Sequence, residues 1–144
     1  MNDGIVARTF NVLLIDERSP MEEKLAFVVR SDVPRNRVEV QYQGRVTAAD
    51  VQSVYGQIMD LLPLMRSGFT LLADLSGLES MDLDCAPFIT KIMDSCNAAA
   101  IGTVVRIVPD SRKDIGLNIL SIIHYRRGVH VLTCENSAEA DRVL

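Results

Sequence analysis

The sequence predicts one α/β domain: a mixed sheet of four to six strands that opens with an antiparallel hairpin and continues as alternating strands and helices packed on the sheet. Three observations carry that prediction. In the first third of the chain, strand-forming runs flank a proline-containing turn. A nearly continuous apolar run at mid-chain reads as a strand covered on both faces, the pattern of parallel sheets. Beyond it, strand-like and helix-like segments take turns, and right-handed crossovers then place helices on the sheet faces. At 144 residues the chain has room for one core.

In chain order, Met1–Glu23 form an N-terminal extension and Lys24–Leu144 the domain. Within the extension, Val12-Leu13-Leu14-Ile15 is a candidate extra strand. It would lengthen the sheet or cover a partner's edge, so a homodimer is expected. Residues 20–30 carry two signals. Ser19-Pro20-Met21-Glu22 reads as a helix start. Leu25–Val29 is rich in strand formers, and a strand over Lys24–Arg30 is the preferred reading.

Asp32-Val33-Pro34-Arg35-Asn36 is turn chemistry, and Val38–Tyr42 alternates apolar and polar residues up to Gly44, which ends the strand. Thr47-Ala48-Ala49-Asp50 is a capping box. The helix it opens has Val51, Val54, Tyr55, Ile58, Leu61, Leu62 and Met65 on one face, and Pro63 ends or kinks it. Phe69–Leu75 is the central strand, and Ser76–Asp84 reads as a polar loop. A helix follows with Ile89, Ile92, Met93 and Cys96 inward, then a strand over Thr103–Val108 stopped by Pro109. Ser111–Asp114 is a second capping box, with Ile115, Ile119, Ile122 and Ile123 on the apolar face of its helix. Val129–Leu132 is the last strand, and Asn136-Ser137-Ala138-Glu139 opens a final short helix.

Composition removes several classes of function. A net charge of −4 gives no basic face for neutralising phosphates, so no nucleic-acid partner is expected. No apolar run nears the ~20 residues of a membrane helix, and the start, MNDGIVARTF, lacks the features of a signal peptide. Cys85, Cys96 and Cys134 are odd in number and suit no disulfide framework, which points to a reducing cytoplasm. No phosphate-cradling glycine loop, nucleophile elbow or dinucleotide fingerprint occurs, so neither catalysis nor a cofactor is expected.

Three passages resemble the STAS family, the fold of anti-anti-sigma factors and of sulfate-transporter cytoplasmic domains. Val40–Asp50 is similar to the family's strand, glycine and helix start. Asp74-Leu75-Ser76-Gly77-Leu78, followed by Met81-Asp82-Leu83-Asp84, resembles the segment that carries the regulatory phosphorylation site. Gly102–Pro109 and Val129–Leu144 resemble the closing strands and helix. The resemblance implies a SpoIIAA-like sheet and a regulatory module with a protein partner, a regulator or a kinase-like anti-sigma factor. It also implies a partner and switch surface of Asp74, Ser76, Met81, Asp82, Asp84, Cys85 and Phe88. Family members usually read Asp-Ser-Ser-Gly where this chain has Asp82-Leu83-Asp84-Cys85, so Asp84 stands at the phosphoserine position. A bacterial STAS-like subgroup related to lipid-binding Sec14 domains also lacks the serine pair, which makes a small lipid-like or anionic ligand the alternative.

The residues themselves support several simpler roles. Asp84 is expected to cap the helix that begins at Cys85 or Ala86. Cys85, near a helix N-terminus, is either a lowered-pKa thiol or, more commonly, a buried inert one. Arg126 and Arg127 form a basic corner that reads as solvated loop or as a contact for an anion or acidic partner. Arg106, inside an apolar strand, needs a partner, for which Asp74 and Glu79 are the candidates. His124 and His130 have no ligand or catalytic partner at metal spacing and read as structural. A degenerate response-regulator receiver domain is a rival reading. Leu13–Glu17 and Asp74 fit its strand and acceptor, but the later hydroxyl and lysine are missing. The Asp82-Leu83-Asp84 pair also resembles the paired aspartates of dehalogenase-type phosphatases, against which the intervening loop argues.

Overall fold

The computed structural model describes residues 25–108 and 128–144. The expected extension Met1–Glu23, the helix after Ser111, His124, Arg126 and Arg127 lie outside the described residues. Within them, β1 (Phe27–Asp32) and β2 (Arg37–Val46) form the hairpin, in antiparallel register from Phe27 opposite Tyr42 to Asp32 opposite Arg37. The strand reading of residues 24–30 therefore holds, shifted by two to three residues. The turn is tied locally and at long range. The Asp32 carboxylate accepts the Arg35 N–H at 3.2 Å, and Asn36 exchanges two hydrogen bonds with the Arg66 backbone at 2.7 and 3.1 Å.

Helix α1 (Ala48–Leu61) starts at the expected capping box. The Thr47 hydroxyl accepts the Asp50 N–H, and the Asp50 carboxylate accepts the Thr47 N–H at 2.8 Å. Pro63 ends it: a 3₁₀ turn over Leu62–Leu64 replaces further α-helix, because proline offers no N–H to the ladder. Next come β3 (Thr70–Met81), a 3₁₀ turn at Leu83–Cys85, α2 (Ala86–Ala98), β4 (Thr103–Ile107), β5 (His130–Cys134) and α3 (Ser137–Val143). Strand order is β1-β2-β3-β4-β5, with β2 to β5 parallel. A receiver domain would seat its first strand between the second and the acceptor-bearing third in a parallel sheet. Here β2 pairs directly with β3, which carries Asp74, and β1 is antiparallel to β2, which does not fit that rival.

Two expectations need correction. Gly44 does not end β2; at φ +66 it sits at a register shift within the strand, which runs on to Val46. Residues 76–81 are not loop but the continuation of β3, paired with Gln43–Val46 of β2. The bulges break the alternation that would have revealed the strand, since its buried positions fall at Leu71, Leu75 and Leu78.

One sheet face packs Val38, Val40, Tyr42, Leu71, Leu75 and Val104 against Val51, Val54 and Ile58 of α1 and Ile89, Ile92 and Met93 of α2. Each such side chain contributes about 1.5–3 kcal/mol by leaving water. The other face carries a smaller cluster, Val105, Ile107 and Cys134, under Ala140 of α3. Arg106 lies on the α1–α2 face, buried, and its Nη2 donates to Thr133 Oγ1 at 2.6 Å. The expected partner Asp74 neighbours Ile107 and so faces the opposite side of the sheet. His130 is exposed at the start of β5.

Candidate functional site

The carboxyl end of β3 and the start of α2 bring together Met81, Asp82, Asp84, Cys85 and Phe88. Two backbone bonds fix the connection: Asp82 N–H to Val46 O at 3.1 Å and Cys85 N–H to Asp82 O at 3.0 Å. Arg45, the residue before Val46, grips the Asp82 carboxylate with both arms, Nε at 3.3 Å and Nη2 at 3.1 Å. This pairing raises the Arg45 pKa, first by the hydrogen bond and then by the Asp82 charge. Fork-to-fork geometry of this kind sets orientation as well as attraction. Arg45 was not among the residues singled out from sequence.

The 3₁₀ turn has about three residues per revolution, so a turn that buries Cys85 must send Leu83 and Asp84 outward. Cys85 is buried, with its Sγ 3.7 Å from Val46 O. Leu83 is 95% exposed and Asp84 is exposed. Burial, then the charges of Asp84 and Asp82, push the Cys85 thiol above its ordinary value, so it is the inert thiol and not the activated one.

The expected cap at Asp84 is absent. The residue preceding α2 is Cys85, already helical at φ −70, ψ −26, and neither it nor the turn before it makes a side-chain cap bond. Asp82 has the extended backbone of a cap, but Arg45 holds its carboxylate. Pro87 in the first turn of α2 also removes one of the donors a cap would satisfy. On the helix, Phe88 is half-buried against the core, and Lys91 Nζ stands 5.4 Å from its ring centroid. Met81, at the last rung of β3 opposite Val46, is half-buried too.

Asp74 and Ser76 belong elsewhere. The Asp74 carboxylate accepts both the Ser76 N–H at 2.9 Å and its hydroxyl at 2.6 Å. β2 covers the same stretch in five residues, from Gln41 to Val46, which puts Asp74 roughly 17 Å from Met81. It borders an open groove of about 160 Å³ between the β1–β3 face and α3, whose walls include Arg30, Arg37, Glu39 and Asp141. A second, apolar space of about 60 Å³ lies between the sheet and α2. Among the described residues no three His, Cys, Asp or Glu side chains are grouped to hold a metal. The phosphatase-like reading of Asp82 and Asp84 loses its sequence objection, since Asp82 directly follows the strand. Its would-be nucleophile is nevertheless held by Arg45, and among the described residues the acids there are not grouped to hold a metal. Among those residues no helix is long and apolar enough to cross a membrane.

No family model and no curated protein matches the chain. Solved structures do. A DUF3478-family protein from Shewanella loihica with a SpoIIAA-like fold superposes at a TM-score of 0.62 and 13% identity, covering 83% of this chain and 92% of that one. The fold is SpoIIAA-like. The anti-sigma factor antagonist SpoIIAA in its unphosphorylated form gives a TM-score of 0.57 at 17% identity, covering 82% of this chain and 97% of its own. An anti-sigma factor antagonist from Mycobacterium paratuberculosis gives 0.53 at 14%, with 81% and 91% covered. The mixed sheet with its antiparallel N-terminal hairpin is the architecture the STAS resemblance implied. In this SpoIIAA-like frame, the β3–α2 turn is the segment that the resemblance aligned with the phosphorylation site.

Proposed function

We propose that this chain is a non-catalytic regulatory module that engages a protein partner through the surface spanning Met81–Phe88. Asp84 supplies there a fixed carboxylate in place of the family's phosphoserine. The carrying observation is the pinned turn: Arg45 and two backbone bonds hold it while Leu83 and Asp84 face solvent. The neighbours named as anti-sigma factor antagonists support a partner that is itself a regulator, such as a kinase-like anti-sigma factor. One carboxylate carries less charge and fewer acceptors than a phosphate, so the contact it makes is permanent and weaker. The ligand-binding alternative draws little from the two spaces described among residues 25–108 and 128–144, whose volumes of about 60 and 160 Å³ fall below the usual ~300–1,000 Å³ of ligand pockets.

The test is differential capture. Immobilised wild type and Asp84→Arg are exposed to extract of the native cell, and the retained proteins are quantified by mass spectrometry. Proteins held by the wild type and lost by Asp84→Arg support the reading. Identical profiles reject it.

A further inference from the structure

We propose that Leu83 is the anchor of that contact, a rigid apolar knob that inserts into a partner protein's apolar pocket rimmed by Lys and Arg. This inference rests on the surface reading above and adds the partner's chemistry. An isolated surface leucine ordinarily needs no explanation, because single apolar side chains are common outside cores. Leu83 differs in how it is held. It is 95% exposed, the most exposed of the large apolar side chains among the described residues; Leu64, the next, is 52% exposed. The turn that carries it is fixed on both sides, by Asp82 to Val46 and Arg45 before it and by buried Cys85 after it. Little ordering cost therefore remains when a partner takes it up, and low ordering cost is what turns buried area into affinity.

Charge complementarity defines the partner's rim. Asp82 and Asp84 flank the knob, and Asp50 of the α1 capping box is near enough to act on the Cys85 thiol with them. Among the described residues Arg45 pairs with Asp82, which holds both arms of its guanidinium, and Lys91 stands over the Phe88 ring. A rim of Asp and Glu on the partner would meet like charge, whereas Lys and Arg would meet an acidic surround and speed encounter. Full burial of a leucine corresponds to roughly ten- to hundredfold in affinity, so Leu83→Ala is expected to weaken the complex by that factor. Because Leu83 touches little of its own protein, the same change should leave the melting temperature where it was.

The experiment is photo-crosslinking in the native cell with p-benzoylphenylalanine replacing Leu83, or replacing exposed Ala86 at the start of α2, with Leu64 as a distant control. The expected result is one protein crosslinked from both 83 and 86 and not from 64. Its mapped peptide should hold apolar residues flanked by Lys or Arg, and the yield should fall as salt rises. Adding Leu83→Ala to the position-86 probe should cut that yield at least tenfold. Crosslinking from 86 that Leu83→Ala leaves unchanged overturns the anchor and leaves the surface reading standing. A mapped peptide that is acidic, or that belongs to a second copy of this chain, also overturns the inference. No crosslink from either 83 or 86 overturns both the inference and the surface reading.

Discussion

Replacing Asp84 by alanine should hardly change stability, whereas replacing Thr47 by alanine should. Both residues sit where a helix begins after an acidic or hydroxylic residue, and sequence alone treats both as caps. Their geometry separates them. The Thr47 hydroxyl accepts the Asp50 N–H at 3.3 Å and donates to the Asp50 carboxylate at 3.0 Å. Removing such a cap costs about 1 kcal/mol, within a range of roughly 0.5–2. For a chain of this length that lowers the melting temperature by roughly 3–4 °C. Asp84 makes no side-chain cap bond, so its carboxylate contributes only through the helix dipole. The net change for Asp84→Ala should stay within about 0.5 kcal/mol. Urea and thermal unfolding of the two variants and the wild type, followed by far-ultraviolet circular dichroism at pH 7, measure the difference directly. An Asp84→Ala loss equal to the Thr47→Ala loss would refute the reasoning and restore Asp84 as the helix cap.

Three further outcomes are expected. Burial pushes the Cys96 thiol from 9.0 up to about 12. A folded pKa above the unfolded one keeps its stability below the unfolded value and loses it as pH rises, by up to ~1.4 kcal/mol per pH unit between about 9 and 12. Unfolding free energies of wild type and Cys96→Ala across that window should show the alkaline decline shrinking in the variant; equal slopes would contradict it. Gly102→Ala should destabilise by about 1–3 kcal/mol, because the added methyl would lie 2.8 Å from the Gly68 carbonyl oxygen, a backbone atom that cannot swing aside. Denaturant titration checks this, and an unchanged midpoint would show that the loop relaxes freely. Finally, the Val12–Ile15 run is proposed to support a homodimer, so sedimentation of a chain starting at Met21 should show lost dimer or lost solubility, and unchanged behaviour would reject that role.

The sequence made the fold readable where one signal was local and clean. Thr47 and Asp50 announced α1, Pro63 its end, and Ile89, Ile92, Met93 and Cys96 the inward face of α2. The strand over 76–81 was hidden because its pairing with β2 slips twice, so buried residues fall three apart at Leu75 and Leu78 and alternation disappears. For the candidate site, the sequence shows the residues of the Met81–Phe88 turn but not its wiring. The bond that holds the turn joins Arg45 to Asp82 across 37 residues, and no local pattern encodes such a pair. Asp84 was misassigned as a cap for a related reason: the 3₁₀ turn ahead of α2 already makes Cys85 helical, and helix-start signals do not distinguish that entry from a direct one. For Arg106, strand parity puts the candidate Asp74 on the other sheet face and Thr133 alongside.

The central claim is that a partner reads the Asp84 carboxylate as a fixed charge, and one binding measurement tests it most directly. With the captured partner purified, isothermal titration compares wild type with Asp84→Ser at equal ionic strength. Serine keeps a small polar side chain, and the fold should melt at the same temperature. If the carboxylate is read, the lost charge-assisted hydrogen bond, about 1.5–3 kcal/mol, should weaken binding roughly ten- to hundredfold. Equal affinity for the two proteins would contradict the claim.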